Sequence, residues 1–188
     1  MGFWVFRYRG IGMEVFEKAM RWTGRVCVLG LLSLWAVACS HGRLRGDSFE
    51  KGGLSYRVVA LDAAHWKQVG VSGNDLAFAS KEGGFLLAWN SSCKEHGDPS
   101  LEILTQHLLI GFTEREKLGG ERLELDGREG LRTHYVAKMD GVARELELFV
   151  LKKGGCVFDM AYIAPLGRGG VWRGEFERML SEFQVRFR

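Results

Sequence analysis

Proline is nearly missing from this sequence: 188 residues contain two, Pro99 and Pro165. A proline-stiffened linker is thereby excluded, and turns fall to the 26 glycines. Cysteine is also scarce. Its four copies, Cys27, Cys39, Cys93 and Cys156, are too few for a disulfide-dense scaffold. The longest uncharged apolar run, residues 26–38, falls short of the roughly 20 residues that a membrane-spanning helix needs. Catalytic signatures are absent too. There is no G-x-S-x-G elbow and no H-E-x-x-H pair.

An excess of one charge sign is missing from most of the chain. The formal charge is +3, but Arg7, Arg9, Lys18, Arg21 and Arg25 against Glu14 and Glu17 account for all of it. Residues 39–188 hold 21 basic and 21 acidic side chains. A neutral body has no broad attraction for nucleic acid or anionic lipid, so nucleic acid is not an expected partner. A local basic patch stays open.

What is present begins with export. The run VCVLGLLSLWAVA over residues 26–38 has the length of a signal-peptide core, and Arg21 and Arg25 precede it. Ala36 and Ala38 supply small residues at the cleavage end, and Cys39 follows at once. The stretch Trp35-Ala36-Val37-Ala38-Cys39-Ser40 resembles the lipobox of bacterial lipoproteins. That resemblance implies cleavage before Cys39 and lipidation of its thiol. It also implies, through Ser40, an outer-membrane rather than inner-membrane address. Glu14 and Glu17 sit badly in a basic leader, so translation is expected to begin at Met20. Residues 1–38 are then a signal peptide, and 39–54, polar and glycine-bearing, are read as a flexible lipid-anchored tether.

With Cys27 removed and Cys39 lipidated, Cys93 and Cys156 remain as an even pair. In an oxidising compartment a disulfide is the expected reading. Two reduced thiols, or a metal site begun by Cys93 and His96, are the alternatives. Zinc usually takes three or four protein ligands, and no second cluster is visible. Neither a metal nor a cofactor is expected.

Residues 55–188 read as one α+β domain. Short strands are predicted over 56–61, 66–69, 76–80 and 85–90, with Glu82-Gly83-Gly84 turning the last pair. A helix is predicted from Asp98 as N-cap and Pro99 as first turn to about Glu116, on the spacing of Leu101, Leu104, Leu108 and Phe112. Asp126-Gly127, Asp140-Gly141 and Gly154-Gly155 recur every 14 residues, and each suits a two-residue hairpin turn. Alternation between them predicts a four-stranded antiparallel meander with one buried face. Trp172, Phe176, Met179, Leu180 and Phe183 mark a second helix, and Val185 and Phe187 a short last strand. Strands, helix, meander, helix give an antiparallel sheet with two helices packed on it. This order, with the ending Met179-Leu180-Ser181-Glu182-Phe183, resembles the PsbP/Mog1-type fold. The resemblance implies a non-catalytic binding or assembly module.

Candidate site residues are few. Trp66, Trp89 and Trp172 are either core or the wall of an apolar groove. Asp159, inside the apolar run CVFDMAYIA, needs a partner such as Arg132 or Arg144 or a place in a pocket. Gly167-Arg168-Gly169-Gly170, before the last helix, is a loop or an anion cradle. His41, His65, His96, His107 and His134 have no base or ligand partner visible in sequence. The expected function is a membrane-tethered envelope module that binds an unknown envelope protein or ligand. A hydrolase or metal enzyme using Asp159, His134 or Cys93 with His96 is the alternative, and a carrier of an apolar ligand a third.

Overall fold

The computed structural model describes residues 42–93 and 97–188. The expected signal peptide, the expected start at Met20, Cys39, His41 and His96 lie outside the described residues. The first half contains β1 (Arg43–Arg45), β2 (Ser48–Lys51), β3 (Leu54–Arg57), β4 (Trp66–Val69), β5 (Leu76–Ser80), β6 (Leu86–Ser92) and α1 (Leu101–Leu108). The second half contains β7 (Phe112–Leu125), β8 (Arg128–Met139), β9 (Val142–Lys153), β10 (Cys156–Pro165), α2 (Arg173–Ser181) and β11 (Val185–Phe187).

The three glycine turns set the largest feature. Asp126 and Gly127 have φ of 49° and 72°, Asp140 and Gly141 50° and 79°, and Gly154 and Gly155 60° and 75°. Two successive positive φ values give the turn whose twist matches paired strands. The predicted meander β7-β8-β9-β10 follows. It forms one side of a seven-stranded antiparallel sheet ordered β4-β5-β6-β10-β9-β8-β7. Gly130 on β8 leaves room for the Phe149 ring across the ladder: a Cβ there would stand 2.2 Å from Phe149 Cζ.

Both faces of this sheet are covered at its centre, not one as expected. On one face Leu101, Leu104 and Leu108 of α1 bury Leu131, Tyr135, Leu146, Leu148 and Val150. On the other, Phe176, Met179 and Leu180 of α2 bury Phe149, Leu151, Phe158, Met160 and Tyr162. The alternating charges of β8 and β9 concealed this second core. Glu147 is buried there beside Arg132 and Arg173, and is neutralised by them.

The segment read as a flexible tether is folded from Arg43 onward. β1, β2, β3 and β11 form a four-stranded antiparallel sheet in the order β1-β2-β3-β11. One register row runs Leu44, Phe49, Tyr56, Val185, and it faces the α2-side core. Phe49 and Leu54 are buried. β1 and β2 each offer one apolar residue among polar ones, too short a pattern to read as a strand in isolation, whereas β11 is the predicted last strand. Gly46, Gly52 and Gly53, all at positive φ, are the hairpin turns.

The first helix is shorter than its apolar spacing predicted. Ser100 is its N-cap, the Oγ accepting from the Ile103 amide at 3.3 Å. It ends at Leu108, and Gly111 at φ +93° redirects the chain into β7. Phe112 occupies the i+4 position of the helical stripe but starts a strand, and reaches the same core from there.

Candidate functional site

An open groove of about 920 Å³ lies at one end of the meander. In a meander alternate turns fall at the same end. The β7–β8 and β9–β10 hairpins therefore lie together, and the N-terminal turn of α1 comes down beside them. Their charged residues meet in the groove. Arg122 donates to Glu102 at 2.6 Å and also to Glu129. Lys152 donates to Asp98 at 2.6 Å and to the Pro99 carbonyl at 3.0 Å. Lys153 pairs with Asp126 at 2.6 Å, and Asp126 in turn accepts from the Val185 amide.

Three of these groups are shifted toward their charged forms. The Lys152 hydrogen bond and charge lower the Asp98 pKa. Hydrogen bonds from its own backbone amide and from Ser100, with the charge of Arg122, lower that of Glu102. Glu129, then Glu102, raise Arg122. Fixed charges of both signs, open to water, suit the exchange of ion pairs with a polar partner.

Cys156 lines the groove and is bonded to Cys93, their Cα atoms 4.1 Å apart. The bridge extends the β6–β10 ladder by one step beyond the Ser92–Val157 pair. It fixes the point where the chain leaves the sheet for α1. The zinc alternative loses Cys93 to this bond.

The predicted site residues lie elsewhere and do not form one groove. Trp66 and Trp89 are core residues, 3% and 1% exposed. Trp172 is partly buried. Its ring packs 5.6 Å from that of Trp66 and 5.1 Å from His65, and its Nε1 donates to Glu82 at 2.7 Å. All three tryptophans belong to the α2 side. Asp159 belongs to the α1 side, in the register row Leu131, Val150, Asp159, Asn90.

Neither expected partner of Asp159 reaches it. Arg132 instead holds Glu147 and Glu177, and lies 5.7 Å from the Phe176 ring, so it pins α2 to the sheet. Arg144 shares the face of Asp159 but stands six residues along β9 from Val150, the residue paired with Asp159, and its side chain lies near Gly84. Asn90 donates to Asp159 at 3.3 Å. Burial raises the Asp159 pKa to about 7, against the lowering effect of that hydrogen bond and with a further push from Asp75. His134 is on the α2 side, 4.0 Å from Glu145, so Asp159 and His134 share no cleft. The glycine loop before α2 is also occupied from within, because the Gly167 amide donates to Glu145 at 2.5 Å.

One buried cluster had no sequence signal. The Asp75 side chain is 3% exposed. It accepts from Lys51 Nζ at 2.5 Å, from the Tyr56 hydroxyl at 3.1 Å and from Ser91 Oγ. Lys51 also donates to the Ser91 carbonyl at 3.0 Å. Burial, then the Asp75 charge, push the Tyr56 pKa well up, so the phenol stays a neutral donor. This cluster joins the small sheet to β6 of the large one.

No protein-family model matches the chain, and no curated protein matches it. Solved structures do. The cyanobacterial PsbP protein (CyanoP) of Synechocystis sp. PCC 6803 is 15% identical. The match covers 83% of this chain and 99% of that one, with a TM-score of 0.54. LpqN of Mycobacterium tuberculosis, described as involved in cell envelope biogenesis, is 14% identical over 72% of this chain and 86% of that one, with a TM-score of 0.50. At these identities the likeness is one of fold: the domain has a PsbP-like α+β fold.

Proposed function

We propose that this protein is a lipid-anchored module of the bacterial cell envelope that binds a polar partner through the charged groove, without catalysing a reaction. The observation that carries this reading is the groove itself. It is open, and Arg122, Lys152 and Lys153 are each paired there with an acid of a neighbouring element. The leader and lipobox in the sequence supply the address: lipidation at Cys39 and, from Ser40, the outer membrane with the domain facing the periplasm. No helix among the described residues is long and apolar enough to cross a membrane, so the anchor carries the membrane attachment in this reading. The PsbP-like fold is shared with LpqN, a protein involved in cell envelope biogenesis, and the partner remains an envelope protein or ligand of complementary charge.

The test compares tagged full-length protein with its Arg122→Glu, Lys152→Glu variant after cross-linking in intact cells. Both proteins should fractionate with membranes, and a defined envelope component should co-purify with the unaltered chain only. If the two proteins retain the same components, the groove is not the binding surface.

A further inference from the structure

The neutral charge of residues 39–188 conceals a segregated face. In the small sheet one register row runs Arg43, Glu50, Ser55, Arg186, and the next runs Arg45, Ser48, Arg57. These rows alternate with the row that carries Leu44, Phe49, Tyr56 and Val185, so they point away from the core. Arg43, Arg45, Arg57, Arg186 and Arg188 are all exposed. Glu50 pairs with Arg188 at 2.8 Å and Arg45 at 3.9 Å. Asp47 and Glu182 pair with Arg57 at 3.5 and 3.7 Å. Five guanidinium groups therefore meet three carboxylates. Among the described residues no ion pair engages Arg43 or Arg186.

Chain length places this face. Four peptide steps separate Cys39 from Arg43, and fully extended they span at most about 14 Å. The headgroup layer is about 5–8 Å deep on each side of a bilayer. A lipid on Cys39 thus brings the start of β1 to the headgroups, with little slack to turn the domain away.

We infer that the outer face of the β1-β2-β3-β11 sheet docks on anionic phospholipid headgroups of the leaflet that holds the anchor. This inference rests on the lipid-anchor reading for its geometry. The chemistry is guanidinium to phosphate, which arginine satisfies with paired N–H donors. Docking on this face fixes the orientation of the domain rather than merely tethering it.

The test uses a chain beginning at Ser40, which keeps every residue of both cores. It is mixed with phosphatidylcholine vesicles made with or without phosphatidylglycerol, and bound protein is sedimented. Binding should require phosphatidylglycerol and fall as salt rises. Replacing Arg43→Gln and Arg186→Gln should weaken it about 25-fold, at about fivefold per arginine. The control Lys67→Gln, Lys81→Gln, of equal charge, should bind as the parent does, and all chains should melt together. Equal binding to both vesicle types, or equal loss in the two double variants, overturns the inference. Mass spectrometry of Cys39 in the full-length protein judges the anchor separately. An unmodified Cys39 with selective vesicle binding sinks the anchor and keeps the face; an acylated Cys39 without selectivity does the reverse.

Discussion

Asp75 and Asp159 are both carboxylates set among apolar residues, and they differ in what surrounds them. Asp75 has an ammonium and two hydroxyls, so it is compensated. Removing it leaves Lys51 facing a cavity of unpaired donors. Asp75→Ala is expected to cost about 3 kcal/mol, read as a lower urea midpoint at unchanged slope. Asp159 has one amide and a pKa raised to about 7. The folded state then holds its proton more tightly than the unfolded chain does. The associated stability is fully present below about pH 4 and is lost as pH rises to about 7. Asp159→Asn keeps the neutral shape and should stabilise the protein above pH 7, by at most about 4 kcal/mol. The gain should vanish near pH 4, and an equal gain at pH 4 and pH 8 would refute the assignment. The run CVFDMAYIA announced Asp159 as a problem, because a charge broke an apolar pattern. Asp75 sits in a polar turn segment and broke no pattern, and its partners come from strands 24 and 16 residues away. Nothing local could reveal it.

Elements were legible where the backbone itself demanded a residue type. Asp-Gly and Gly-Gly turns announced the meander because few other pairs adopt two positive φ values. Gly141→Ala has open space around its Cβ but a φ of +79°, so it should cost about 1–2 kcal/mol through backbone strain alone. Gly130→Ala fails differently. Its Cβ would collide with Phe149 and stand 2.9 Å from the Val150 carbonyl, and the expected cost is about 1–3 kcal/mol. Thermal unfolding of the two variants, with Phe149→Leu added to each, separates the causes: Phe149→Leu should rescue Gly130→Ala only. The Cys93–Cys156 bridge closes a separation of 63 residues, worth about 4 kcal/mol in the chain-entropy account. Its double alanine variant should lose up to that amount in urea. Strands β1 and β2 were illegible because three or four residues carry no usable period, and they acquire strand character only by pairing, β1 with β2 and β2 with β3. The overlong first helix has the converse cause. Phe112 fits a helical stripe and a strand end equally well, and Gly111 decides between them.

At the scale of the molecule, the class of fold could be read from the order of its elements, and the position of the groove could not. The groove is made by two hairpins and a helix start. Their proximity was implicit in the meander, since turns one and three share an end, but the pairing of α1 with that end depends on the Cys93–Cys156 bridge. The tryptophans were ambiguous because large aromatics serve both cores and grooves, and the structure encloses Trp66 and Trp89 in the core. Cys39→Ser should release the protein from the membrane fraction without changing its melting temperature, because no described core residue depends on that position. Retention in membranes would remove the anchor from the account.

The small sheet joins the two ends of the chain. β3 pairs with β11, so Tyr56 lies opposite Val185 and Leu54 opposite Phe187. The α2-side core therefore stays incomplete until Phe183 and Val185 are in place. Under the export proposed above, an unfinished core would keep the chain threadable until Val185 has crossed.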